Sequence, residues 1–108
     1  MTIAPGLLIR LYRGLLHESP HQRSEHADSV TDMRRSMDSA QLHAIASLLG
    51  ALAVWEQDAT AREAQLHALA ELHEWEATTP DAIELARRID PATLTGSEID
   101  YVAYLLNE

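Results

Sequence analysis

The chain has no cysteine, no lysine and no phenylalanine, and Asn107 is its only asparagine. Without cysteine there are no disulfide bridges, no thiolate zinc sites and no cysteine nucleophile. Without lysine, every formal positive charge is an arginine. Codons for Lys, Phe and Asn are AT-rich, and those for Ala and Arg are mostly GC-rich, so the joint depletion points to a high-GC bacterial genome or its phage. The glycines are few and scattered, at positions 6, 14, 50 and 96, which excludes a glycine-rich phosphate loop. No serine sits in a nucleophile-elbow pattern, and an enzyme is not expected. The longest uncharged apolar stretch, Leu42 to Trp55, is shorter than the roughly 20 residues a membrane span requires. Met1 to Gly6 lacks a basic segment, and Arg10 and Arg13 interrupt the apolar run Leu7 to Leu16, so no signal peptide is expected. A cytoplasmic protein without membrane contact is the expectation.

With 108 residues, the chain is sized for a single domain over 1–108, large enough to bury a core without metal or disulfide staples. Apolar spacing is helical throughout, and no useful stretch alternates as a strand would. Helix 1 is expected over Pro5–His17, with Leu7, Leu8, Leu11, Tyr12, Leu15 and Leu16 as a wide stripe. Ser19 and Pro20 then cap and open helix 2, Pro20–Met37, whose stripe of Ala27, Val30, Met33 and Met37 is narrow on a polar cylinder. Such a helix is expected to be exposed and to cover little. Helix 3 begins at Asp38 with Gln41 as capping-box partner, and its core face is Leu42, Ile45, Ala46, Leu49, Leu52 and Ala53. A break is expected near Gln57–Thr60, because a continuous helix would turn Glu56 and Glu63 inward. Helix 4, Thr60–Ala77, is expected to open on a Thr60–Glu63 capping box. Helix 5 covers Pro80–Ile89 with Thr79 as cap. Helix 6 covers Gly96–Leu106 with a Thr95–Glu98 box and a stripe of Ile99, Val102, Ala103 and Leu106. Short connections favour antiparallel neighbours, giving an all-α fold: a compact bundle of five to six short antiparallel helices.

Charge is distributed unevenly. Residues 1–37 hold five Arg against four Asp and Glu, whereas residues 38–108 hold three Arg against thirteen Asp and Glu. Acidity of this kind attracts cationic partners and repels nucleic acid. The pairs Arg34-Arg35 and Arg87-Arg88 stand among acids, and at a pI of about 5.0 the chain lacks the basic footprint that nucleic-acid binding requires.

His67, Glu71 and Glu74 have helical spacing that could chelate a divalent ion, but no second chelating helix pattern completes a site, and no metal or other cofactor is expected. His17, His21 and His26 read as surface residues around Pro20. The strongest constellation is Glu71, Glu74, Trp75, Glu76, Asp81 and Glu84, with Asp100, Tyr101 and Tyr104 as a second group. Trp and Tyr anchor interfaces at low entropic cost, and acids around them steer a basic partner. The segments Leu52–Glu56 and Leu72–Glu76 echo each other as Leu-x-x-Trp-Glu, too few copies to define a repeat.

In size, acidity and helical character the chain resembles small bacterial immunity proteins. That resemblance implies a stoichiometric inhibitor, an immunity protein or antitoxin-like partner of a basic toxin domain such as a nuclease. The alternative is a non-catalytic helical adaptor, a homodimer joined through helix 1, so both monomer and homodimer are open.

Overall fold

Six α-helices appear in a computed structural model describing all of residues 1–108: α1 Pro5–Leu15, α2 Pro20–Met33, α3 Ser39–Trp55, α4 Ala59–Glu74, α5 Pro80–Arg87 and α6 Ser97–Leu106. There are no strands, and single 3₁₀ turns follow α2 (Arg34–Ser36) and precede α6 (Pro91–Thr93). No helix is long and apolar enough to cross a membrane. The helix starts follow local chemistry. Asp38 and Gln41 form the full capping box at α3, and Thr79 accepts the Ala82 N–H at α5, where Pro80 fills the first position. At α4 the cap is Asp58, which accepts the Ala61 N–H, and not Thr60. The chain breaks between α3 and α4 at Glu56–Asp58, as the sequence pattern predicts.

α4 is the hub, packing against α2, α3 and α6. Its buried residues include Ala61, Ala64, Ala68 and Ala70. Side chains this small let three neighbours approach one helix, while Leu66, Leu69 and Leu72 fill the space between them. α3 contributes Ile45, Ala46 and Leu49 from the other side and carries α5. The glycines that look scattered in sequence are spacers here. A Cβ on Gly14 would overlap the His26 ring, and one on Gly50 would stand 2.9 Å from the Ala82 Cα, so α1 meets α2 and α3 meets α5 at these points.

Two expectations are corrected. Far from lying loosely outside, α2 packs along α4 with Ala27 and Val30 fully buried, and Met37 closes into the core behind it. On α6 the buried face is Glu98, Val102 and Leu105, while Ile99 is 53% exposed. The helix is turned relative to its apolar pattern because Glu98 enters an ion pair, described below.

Gly50→Ala is expected to lose about 1–2 kcal/mol, since the overlap with Ala82 backbone outweighs the gain of about 1 kcal/mol in helix propensity. Gly6→Ala, with open space around it, is expected to gain about 0.5 kcal/mol. Urea unfolding of the two variants checks both signs.

Candidate protein-interaction face

The C-terminus of α4 is built by a left-handed cap. Ala77 N–H donates to the Leu72 carbonyl at 2.9 Å and Glu76 N–H to that of His73 at 3.0 Å, with Glu76 at φ +55°. Glycine is the residue that adopts this conformation without cost, so a glutamate here is held against a strain of on the order of 1 kcal/mol. The cap leaves Glu74 and Glu76 in solvent with Trp75 between them, 42% exposed. One side of Trp75 is occupied from within the chain. The guanidinium carbon of Arg34 lies 4.5 Å from the indole centroid and that of Arg35 5.8 Å, both in cation–π range. Arg34 Nη1 also donates to Glu71 Oε2 at 2.7 Å. The arginine-bearing end of the first half thus meets the acidic stretch of the second, and Glu71 is engaged in an ion pair.

α6 lies beside this end of α4 through two histidine–tyrosine contacts. His67 and Tyr101 have ring centroids 5.3 Å apart, and His73 meets Tyr104 edge-on at 5.2 Å. His73 Nδ1 is fixed by the Thr78 hydroxyl at 2.8 Å. Burial pushes the Tyr101 hydroxyl pKa up, and the Glu63 and Glu71 charges add to this against a hydrogen bond with Ser97. These contacts set Tyr101 and Tyr104 of α6 alongside α4, with Glu71 near Tyr101, while Trp75, just past the end of α4, lies against Arg34 and Arg35. Tyr104 is 48% exposed, and Asp100 is exposed without an ion-pair partner.

Asp81 and Glu84 engage other elements. Asp81 is held below the ordinary carboxylate value by the Thr79 and Ser47 hydroxyls, the latter on α3, and Glu84 lies 3.6 Å from Arg87 along α5. His67 Nε2 is 3.5 Å from Glu71 Oε1, and no group of three or more metal-ligating side chains converges there or elsewhere. Of the remaining four histidines, the three near Pro20 diverge. His17 accepts the Ser19 N–H, His21 pairs with Glu25, and His26 packs against Gly14.

Two buried carboxylates escape the reading of acids as surface groups. Glu56, with its side chain 3% exposed, accepts both Arg23 Nε and Nη2 at 2.7 Å, together with Gln65 Nε2 and the Asp58 N–H. Glu98, 2% exposed, accepts Arg62 Nε at 2.7 Å and Nη2 at 3.0 Å, while Arg62 also donates to Thr93. Each is a planar fork meeting a carboxylate. Burial pushes the Glu56 pKa up, but its bonds with Arg23, Asp58 and Gln65 together hold it below the ordinary value. For Glu98 the Arg62 bond is the largest cause of a lowered pKa, and burial opposes it. The signal for Glu56 is present in the sequence, since apolar spacing extended past Trp55 turns it inward. The chain breaks there and Glu56 still enters. Between these pairs a polar cleft of about 410 Å³ is lined by Asp58, Arg62, Arg88, Asp90 and Thr93 among others.

Because both carboxyl pKa values are lowered in the folded state, their contribution is complete above the ordinary value of 4.5. It is lost as pH falls through the lowered folded values. Stability measured by urea titration should therefore decline as pH drops below 4.5. Glu98→Gln should flatten that decline and cost about 2 kcal/mol at neutral pH through loss of a charge-assisted bond. An unchanged acid limb in the variant would contradict the assignment.

No family model, curated protein sequence or solved structure matches this chain.

Proposed function

We propose that this chain is an acidic protein-binding domain that docks a basic partner through the α4–α6 face. In this proposal it acts as a stoichiometric inhibitor of the immunity-protein or antitoxin-like kind, directed at a bacterial toxin such as a nuclease. The observation that carries the proposal is that two packed elements, α6 and the end of α4, each expose an aromatic beside acids: Tyr104 with Asp100 on α6, and Trp75 with Glu74 and Glu76. Trp and Tyr are enriched in interface hot spots, and nearby acids steer a basic partner. The internal Arg–Glu pairs are charge-neutral, so the whole net charge of −9 resides on the remaining side chains, where it steers cationic surfaces toward the domain. Arg34 and Arg35 already cover part of Trp75, which leaves its exposed edge for the partner. Inhibition follows if the acidic face covers the partner's cationic substrate groove or an adjacent site and excludes substrate.

One observation favours a second function, a non-catalytic adaptor that dimerises through α1. Ile9 of α1 and Leu16 at its C-cap are exposed and seven residues apart, on one side of the helix, and exposed apolar surface of this kind marks interfaces.

The double reversal Glu74→Arg/Glu76→Arg separates the two. Folding stability should change by no more than about 0.5 kcal/mol, because both side chains are exposed. In pull-downs from the native host at low and high salt, the wild-type chain should retain one basic protein that high salt releases and the reversed variant fails to hold. Recovery of only the chain itself, as a salt-resistant dimer, would contradict the inhibitor and favour association through α1.

A further inference from the structure

Trp55 and Trp75 both stand at the C-terminal end of a helix, Trp55 as the last residue of α3 and Trp75 as the C-cap of α4, each followed by glutamate. Their surroundings are opposite. Trp75 carries two arginines of its own chain, and the carbonyls behind it are closed by the left-handed cap. Trp55 is 80% exposed and has no cation over its ring, in a chain where the other tryptophan has two. After Trp55 the backbone turns extended at Glu56, whose N–H makes no cap bond, and the carbonyl of the half-buried Val54 receives no hydrogen bond from the chain. The Trp55 carbonyl is met only by Gln57 Nε2 at 3.3 Å. The negative end of the α3 dipole and open acceptors therefore stand beside a bare indole.

The setting is rigid and acidic. Arg23 holds Glu56 with its fork and donates through Nη1 to the His17 and Glu18 carbonyls, binding the α1–α2 turn to the end of α3. This also brings the exposed Glu18 to the same end. All four contacts of Glu56 are satisfied within the chain, which leaves Asp58, Glu18 and the helix carbonyls as the electrostatic attraction for an incoming cation. A hollow of about 200 Å³ opens here, lined by Arg23, Leu52, Trp55, Glu56 and Gln57.

We infer that Trp55 is a second contact point for the basic partner and takes an arginine side chain stacked on the indole, its N–H groups donating to the Val54 and Trp55 carbonyls at the end of α3. Arginine fits because it combines a flat, weakly hydrated face with several donors in one plane; a lysine ammonium offers donors and no face to stack. The pairing reproduces with a partner what Arg34 does for Trp75 within the chain. The inference rests on the proposed basic partner, but its test does not require that partner.

The test follows the two indole N–H resonances of the full chain by NMR during titration with an oligo-arginine peptide and an oligo-lysine peptide of equal length, at low and high salt. The Trp55 resonance should shift saturably, with the arginine peptide binding about three- to fivefold more tightly than the lysine peptide. Trp55→Leu, which leaves net charge unchanged, should remove that preference while keeping a native spectrum, and Glu74→Arg/Glu76→Arg should preserve it. Equal affinity for both peptides, or a Trp55 resonance that does not move, would overturn the inference. So would concentration-dependent shifts of Trp55 in the free chain, which would assign the indole to a second copy of the chain. Arginine-selective binding at Trp55 by a chain whose pull-down partner is insensitive to Glu74→Arg/Glu76→Arg would sustain this site and refute the α4–α6 face.

Discussion

Arginine–glutamate pairing holds the helices of this domain in place. Arg23 of α2 grips Glu56 at the end of α3, Arg34 just past α2 grips Glu71 of α4, and Arg62 of α4 grips Glu98 of α6. Each pair joins segments more than thirty residues apart. The clearest beneficiary is α2, with only Ala27 and Val30 fully buried over 14 residues. Its apolar stripe alone is too narrow to select one site on α4. An arginine at each end closes on a fixed carboxylate and sets both position and register. Buried ion pairs add little net stability compared with apolar replacements, yet removing one partner is severe because a charge is stranded. Their contribution here is which helices meet and where, while the Leu and Ala side chains around α4 supply the burial.

The same pairing shapes the surface. Three arginines are turned inward and neutralised, so the acidic excess of the second half faces solvent with little to offset it. The exposed aromatics lie at the C-terminal ends of α3 and α4 and along α6, beside acids in each case. Trp75 and Trp55 illustrate two uses of one local motif, the first closed by the chain's own cations and the second open.

The sequence made much of the fold legible. Proline and capping residues mark the starts of α1, α2, α3 and α5, while α4 is capped by Asp58 and not Thr60, and α6 starts after Gly96 and not Thr95. Apolar spacing finds Ile45, Ala46 and Leu49 in the core of α3. What was not legible depends on partners far along the chain. Glu98 resembles a capping-box glutamate and does contact the Thr95 N–H at 3.1 Å, but its burial is decided by Arg62. That pairing turns Ile99 outward. The order of α2 was hidden for the same reason, because polar residues counted against burial are the ones that anchor it. Gly14 and Gly50 carry no local signal, since the side chains they make room for are on other helices. At the candidate face, sequence placed the acids and aromatics together along α4. The junction with α6 and the covering of Trp75 by Arg34 came only with tertiary structure.

The central claim is that ion pairs at its two ends, to Glu56 at the end of α3 and Glu71 of α4, fix the position of α2. Amide hydrogen exchange of Arg23→Met tests it most directly, because methionine keeps the apolar stem and removes the fork. Protection at Ala27 and Val30 should fall by roughly 30-fold, equivalent to a charge-assisted bond of about 2 kcal/mol, while Ile45 and Leu49 in α3 keep theirs to a greater degree. Equal loss in α2 and α3, or no loss in either, would contradict the claim.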